Sequence, residues 1–194
     1  MHDIFRQYIN GYVSTPVSDE EFEWIQKAFV PKKLRRKQYL LQEGEVCKHL
    51  AFITKGAMRQ YSVDDKGIEH IVRFGIENWW MADRESFTAG NPTKYNIDAL
   101  EDTEVLLINN ANWQQLSVQS SAYAEMTRQL EYKGYVAAQQ RIHASISLST
   151  EERYRDLATT HPELLQRFPQ NMIASYLGVS PETLSRIRKQ ALKK

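Results

Sequence analysis

Cysteine occurs once in the 194 residues, at Cys47. A single thiol closes no internal disulfide, which favours a reducing compartment. It also rules out an iron–sulfur cluster held within one chain, since such clusters take about four thiolates. Long apolar runs are missing too, and none approaches the ~20 residues of a membrane span. The opening Met1-His2-Asp3-Ile4-Phe5-Arg6 lacks the charged-then-apolar plan of a secretory signal. A cytoplasmic protein that does not enter a membrane is therefore expected. The motifs of common enzymes are absent: no Gly-x-Ser-x-Gly elbow, no phosphate loop, no dinucleotide fingerprint. The five histidines (His2, His49, His70, His143, His161) include no close pair at metal-ligand spacing. The expectation is a protein that is not an enzyme and holds neither metal nor cofactor.

Net charge is also nearly absent, at +1, but the charges are unevenly placed. Residues 1–144 carry 17 Lys/Arg against 19 Asp/Glu, whereas residues 145–194 carry 8 against 5. Five of those eight cations (Arg186, Arg188, Lys189, Lys193, Lys194) lie in the last nine positions, as a phosphate-facing element requires.

Three textures succeed one another. Asp19 to Phe29 reads as a short amphipathic helix, with Ser18 as N-cap, Glu21 three residues on, and Phe22, Ile25 and Phe29 on one face. From Lys32 to Ile108 short strand-like segments alternate with turn signals at Glu43-Gly44, Lys55-Gly56, Asp65-Lys66-Gly67 and Gly90-Asn91-Pro92. Many short strands without long helices between them predict an antiparallel sandwich or barrel. After Asn109 glycine nearly disappears, and about Ser120 to Ser147 reads as one long helix. Its thin stripe Tyr123, Met126, Leu130, Gly134, Ala137 suits a two-stranded dimer seam, or else one helix lying along its own sheet domain.

The most specific pattern is Gln170-Asn171-Met172-Ile173-Ala174-Ser175-Tyr176-Leu177-Gly178-Val179-Ser180-Pro181-Glu182-Thr183-Leu184-Ser185-Arg186-Ile187. It meets each requirement of a helix–turn–helix. Ala174 is small where two helices approach, and Gly178 stands where the chain reverses with positive φ. Ser180 is an N-cap, and Pro181 follows at the first helical position, where its missing N–H costs nothing. Ile173, Leu177, Val179, Leu184 and Ile187 face inward. Glu182, Thr183, Ser185, Arg186 and Lys189 face out, and these groups read base edges or hold phosphates. A plain helical hairpin would explain the apolar spacing but not the polar face and cationic end.

The segment Gly178 to Ile187 resembles the recognition region of the Crp/Fnr family of bacterial transcription regulators, in which a Ser-x-Glu-Thr-x-x-Arg run opens the recognition helix. Upstream, Glu43-Gly44-Glu45 followed by Leu50 to Arg59 resembles the first half of that family's cyclic-nucleotide-binding β-roll. The resemblance implies an α+β fold: a β-roll over residues 1–110, a long dimerisation helix over 111–147, and a helix–turn–helix domain over 148–194 with little or no wing. It implies that Glu182 and Arg186 contact base edges, that Ser180 and Thr183 hold phosphates, and that Gln170 or Asn171 lies near the DNA backbone. Pro181 takes the place of a further contact, and Lys193-Lys194 supplies phosphate contacts in place of a wing. Double-stranded DNA, a second copy of the chain and RNA polymerase are the partners so implied.

The family's cyclic-nucleotide pocket is marked by Gly-Glu-Leu and then by Arg-Ser or Arg-Thr. Here the matching stretch is Met81-Ala82-Asp83-Arg84-Glu85, then Thr93-Lys94, so the candidate pocket residues are Asp83, Arg84, Thr93 and Lys94. Lysine lacks arginine's bidentate fork. The pattern argues against cyclic AMP and leaves another small anion, or no effector, open. The competing reading is a cyclic-nucleotide or small-anion binding module whose C-terminal helices bind a protein partner rather than DNA. Trp79-Trp80 read as core or interface anchors. The run Lys32-Lys33-Leu34-Arg35-Arg36-Lys37 reads as a solvated strand edge that guards against pairing.

Overall fold

The computed structural model describes residues 1–191. Two helices, α1 (His2–Asn10) and α2 (Asp19–Lys27), precede the strands. These are β1 (Val30–Leu34), β2 (Tyr39–Leu41), β3 (His49–Lys55), β4 (Met58–Val63), β5 (Glu69–Gly75), β6 (Trp80–Met81), β7 (Asn96–Ala99) and β8 (Thr103–Asn109), with α3 (Arg84–Ala89) between β6 and β7. The rest is helical: α4 (Asn110–Gln119), α5 (Ser121–Ser147), α6 (Thr150–Thr160), α7 (Pro162–Arg167), α8 (Gln170–Leu177) and α9 (Pro181–Ala191). The Lys193-Lys194 tail lies outside the described residues.

The strands form two antiparallel four-stranded sheets, ordered β1-β8-β3-β6 and β2-β7-β4-β5. The four glycines of the expected turns, Gly44, Gly56, Gly67 and Gly90, all take positive φ. Gly56 is required twice over, because a Cβ there would stand 2.7 Å from the Thr103 Cα. The basic run behaves as expected only in part. β1 is an edge strand, so Pro31, Lys32 and Lys33 guard a free edge, but Arg35, Arg36 and Lys37 lie beyond its end.

The first core lies between the sheets and under α1, α2, α4 and the start of α5. β3 is buried on both faces, which is why Leu50-Ala51-Phe52-Ile53 is continuous rather than alternating. α2 begins as expected, with the Ser18 hydroxyl accepting the Glu21 N–H at 3.1 Å. It ends at Lys27, so Phe29 enters the core from beyond the helix. α1, a helix that the sequence patterns above do not announce, inserts Phe5 and Ile9 from successive turns. Trp80 joins Phe5, Phe29, Phe52 and Trp113 in an aromatic cluster.

The long helix is divided at Ser120, whose hydroxyl accepts the Tyr123 N–H and starts α5 afresh. Its apolar stripe is divided as well. Tyr123 and Met126 are fully buried in the chain's own core and Leu130 packs against it, so these three do not form a dimer seam. Beyond them Tyr132, Tyr135, Ile142 and Ile146 are exposed.

A second core joins the outer face of the β2-β7-β4-β5 sheet to helices α6–α9. Phe74 of β5 stacks on Phe168, with ring centroids 4.3 Å apart, and also meets Tyr176. Trp79 meets His161 edge to face. The paired tryptophans therefore serve different contacts, Trp80 in the first core and Trp79 at the domain boundary.

Candidate nucleic-acid interface

Local chemistry shapes the helix–turn–helix. α8 stops at Gly178, whose φ of 70° lets the chain turn back while the Val179 N–H donates to the Ala174 carbonyl at 3.0 Å. α9 starts at Pro181, and the Ser180 hydroxyl accepts the Thr183 N–H at 3.3 Å. Ile173, Ala174, Leu177, Leu184 and Ile187 are buried, so the two helices pack through their apolar faces. Pro181 and Glu182 are exposed, and so is Lys189. Thr183 and Ser185 are half-buried beside them, and Arg186 is exposed. Glu182, Ser185, Arg186 and Lys189 recur at spacings of three, one and three, which makes one continuous stripe. A hydrogen bond with Ser180 holds the Glu182 carboxyl below its ordinary range, so it is an acceptor at neutral pH. Gln170 and Asn171 are exposed on the first turn of α8, and Ser180 is exposed at the start of α9. The structure thus brings the eight residues singled out for DNA binding onto the solvent-facing parts of two adjoining helices.

The effector residues are placed differently. The Asp83 carboxylate caps α3, accepting the Glu85 N–H at 3.1 Å and the Ser86 N–H at 3.3 Å. Its other oxygen accepts the Thr93 hydroxyl at 2.6 Å, and both residues are buried. Asp83 and Thr93 therefore satisfy each other. Arg84 turns to the long helix, pairing with Glu131 at 3.0 Å and lying over the Trp113 ring. Lys94 is exposed beside Tyr95.

Sequence reasoning missed the contacts that orient the helical unit on the sheet. The Ser175 hydroxyl of α8 accepts the Ile71 N–H and donates to the Glu69 carbonyl, both at 2.9 Å, on the free edge of β5. Arg141 of α5 donates to the Val72 carbonyl on that edge and stacks over the Tyr176 ring. Arg167, at the end of α7, binds Glu77 through two nitrogens, at 2.6 and 2.9 Å, and also pairs with Glu101. These partners lie 35 to 106 residues apart, so no local spacing announces them.

Hydrogen bonding from Arg167 holds the Glu77 carboxyl down at about 2, from an ordinary 4.5. A carboxyl depressed on folding contributes stability that is present above its unfolded value and lost as pH falls through the folded one. The loss should therefore run from about pH 4.5 down to about pH 2. Since Glu77 is about a third exposed, solvent screening limits the effect to on the order of 1–2 kcal/mol. Acid melts of wild type and Glu77→Gln should converge across that window. Parallel curves would show that the pair contributes nothing.

Residues 31–120 match the family model of the cyclic nucleotide-binding domain. No curated protein matches the chain in sequence. Among solved structures the chain is similar to FixK2 from Bradyrhizobium japonicum, at 19% identity over 85% of each chain with a TM-score of 0.68. It is similar to a CooA mutant from Carboxydothermus hydrogenoformans, at 15% identity over 95% of this chain and 83% of that one, TM-score 0.70. It is also similar to the catabolite activator protein of Thermus thermophilus, at 18% identity over 96% and 87%, TM-score 0.58. At these identities the likeness is one of fold.

Proposed function

We propose that this chain, which has the fold of the Crp/Fnr transcription regulators and carries a cyclic nucleotide-binding-type domain, is a homodimeric, sequence-specific DNA-binding regulator. The observation that carries this reading is the stripe of Glu182, Ser185, Arg186 and Lys189, presented on a capped helix whose opposite face is buried. Arginine pairs bidentately with guanine O6 and N7, and glutamate accepts from cytosine N4. Ser180 and Thr183, at the helix start, suit phosphate oxygens, where free N–H groups and the helix dipole favour negative charge.

A second copy is supported by the exposed length of α5. Tyr132, Tyr135, Gln139, Ile142 and Ile146 follow one another at spacings of three and four, the heptad rhythm of a two-stranded seam. The effector, if one acts, is not cyclic AMP. Thr93 stands where the family pattern has its phosphate-neutralising arginine, and its hydroxyl is already committed to Asp83. The reading is of a regulator without catalysis, and no helix among the described residues is long and apolar enough to cross a membrane.

Selection of bound sequences from random duplex DNA tests the reading. Wild type should recover an inverted repeat with half-site centres one helical turn, about 34 Å, apart. Glu182→Ala/Arg186→Ala should lose the motif, each base contact being worth about 1–3 kcal/mol of discrimination. No motif from wild type would end the DNA reading in favour of a protein-binding module. A single unrepeated half-site would end the dimer reading alone.

A further inference from the structure

β5 is an edge strand, paired with β4 on one side only. Its register with β4 passes from Gln60↔Arg73 to Tyr61↔Ile71, so Val72 is an extra residue with no partner opposite it. The free edge therefore offers the Ile71 N–H and the Glu69 and Val72 carbonyls to whatever lies beside it. Ser175 of α8 takes the first two, accepting from Ile71 and donating to Glu69, each at 2.9 Å. A hydroxyl has one hydrogen to give, and here it is given to the strand. Arg141 of α5 takes the third, and its guanidinium lies 4.3 Å above the Tyr176 ring. One stretch of strand edge thus joins the long helix to the first helix of the helix–turn–helix.

α8 is fastened to β5 at its other end as well. Arg167, three residues before α8, binds Glu77, two residues past the end of β5. Phe168 stacks on Phe74, and Ser175 reaches Ile71 and Glu69. As the numbering rises from 167 to 175, that of the partners falls from 77 to 69, so α8 runs antiparallel to the strand. Attachment at one end alone would leave a pivot, whereas two attachments set the direction of α8. α9 inherits that direction, because the turn at Gly178 and the buried faces of the two helices lock it onto α8. Ser175 is half-buried and Glu69 exposed. Hydrogen bonds on such an edge replace bonds to water and add little stability, but they are directional. Their effect is on where the recognition helix points.

We propose that Ser175 and Arg141 are positioning residues that set the spacing between the two DNA half-sites. They touch no base. They hold α8, and with it α9, at one angle to the long helix. This rests on the homodimeric DNA-binding reading above and adds a separate prediction to it. Shifting one half-site by a base pair moves it about 3.4 Å along the duplex and turns it by about 34–36°. A recognition helix fixed through both ends of α8 follows neither movement, so one spacing fits. Released at Ser175, α8 pivots about Arg167 and Phe168, and α9 reaches neighbouring spacings.

The test uses the full chain and selection from random duplex DNA. Wild type should recover its half-site at a single spacing. Ser175→Ala, which removes one oxygen, and Ser175→Ala/Arg141→Met should recover the same half-site sequence, spread over spacings roughly one or two base pairs shorter and longer. On the wild-type inverted repeat the double variant should bind roughly tenfold more weakly, and on a duplex with one half-site within about twofold of wild type. Recovery of the half-site shows that the helix–turn–helix is folded, so an unfolded variant is not mistaken for a released one. Without DNA, the Ile71 amide should exchange with deuterium roughly tenfold faster in Ser175→Ala than in wild type. A single wild-type spacing in both variants, equal weakening on the single half-site and the inverted repeat, or unchanged exchange at Ile71 overturns this proposal and leaves the base-reading residues untouched. Failure of wild type to select any inverted repeat overturns the dimeric DNA reading and this proposal with it.

Discussion

Phe168→Ala is expected to cost about 3–5 kcal/mol of stability, the usual range for deleting a buried aromatic ring. Phe168 is 5% exposed and lies parallel to Phe74, at an interplanar angle of 9°, and such pairs add about 0.5–1.5 kcal/mol beyond the area they bury. The ring belongs to the layer that joins helices α6–α9 to the β2-β7-β4-β5 sheet, among Ile71, Leu164 and Ile173. Its loss should therefore uncouple the two units as well as weaken them. Calorimetry should show one transition in wild type and two in the variant, the lower one belonging to the helical unit. A single transition shifted by less than about 1 kcal/mol would mean that the second core does not couple them.

Arg59→Ala is expected to cost a similar amount, about 3–5 kcal/mol, for a different reason. Arg59 is buried, and it reaches Asp98 from two nitrogens, at 2.8 and 3.2 Å, while also pairing with Glu69 and lying over the Tyr61 ring. Burial alone would lower its pKa, but the hydrogen bonds to Asp98 and Glu69 reverse that and raise it. Removing the guanidinium strands a carboxylate that is only 5% exposed. Chemical denaturation should show that Arg59→Met/Asp98→Leu recovers most of the loss, because replacing both ions with apolar groups of similar size is often neutral or stabilising. If the double variant is as unstable as Arg59→Ala, the cost lies in packing rather than in an unpaired charge.

The two variants separate the kinds of contact that join the domains. Phe168 acts through packing across the boundary, whereas Arg59 organises the sheet beneath it. β4 carries Met58, Arg59, Gln60 and Tyr61 as an unbroken buried run, although an open antiparallel strand would leave alternate residues in water. The helical unit covers the outer face of this sheet, where Tyr61 belongs to the second core, and the ion pairs satisfy the guanidinium that burial there removes from water.

How much is legible in the sequence depends on the distance over which each feature is decided. The helix–turn–helix is legible because its constraints act within a few residues: a cap at Ser180, positive φ at Gly178, apolar positions at helical spacing. The turn glycines and the start of α2 are legible for the same reason. α1 carries a fainter signal, since Phe5 and Ile9 stand four apart on a helix with only two buried positions. The stripe on α5 is legible as apolar, but its partner is not. Periodicity identifies a buried face without saying what covers it, and Tyr123 and Met126 face the chain's own core.

By itself the sequence determined the turns between the strands, the limits of the helix–turn–helix, and which polar side chains stand on the outer face of α9. Only the tertiary structure decided that α8 is bonded to the edge of β5, that Arg167 is shared by Glu77 and Glu101, and that Asp83 is committed to Thr93. The difference has one physical cause. Caps, turns and helical faces are set by forces between residues a few positions apart, whereas ion pairs and hydrogen bonds spanning 10 to 106 residues form only once separate segments of the folded chain meet.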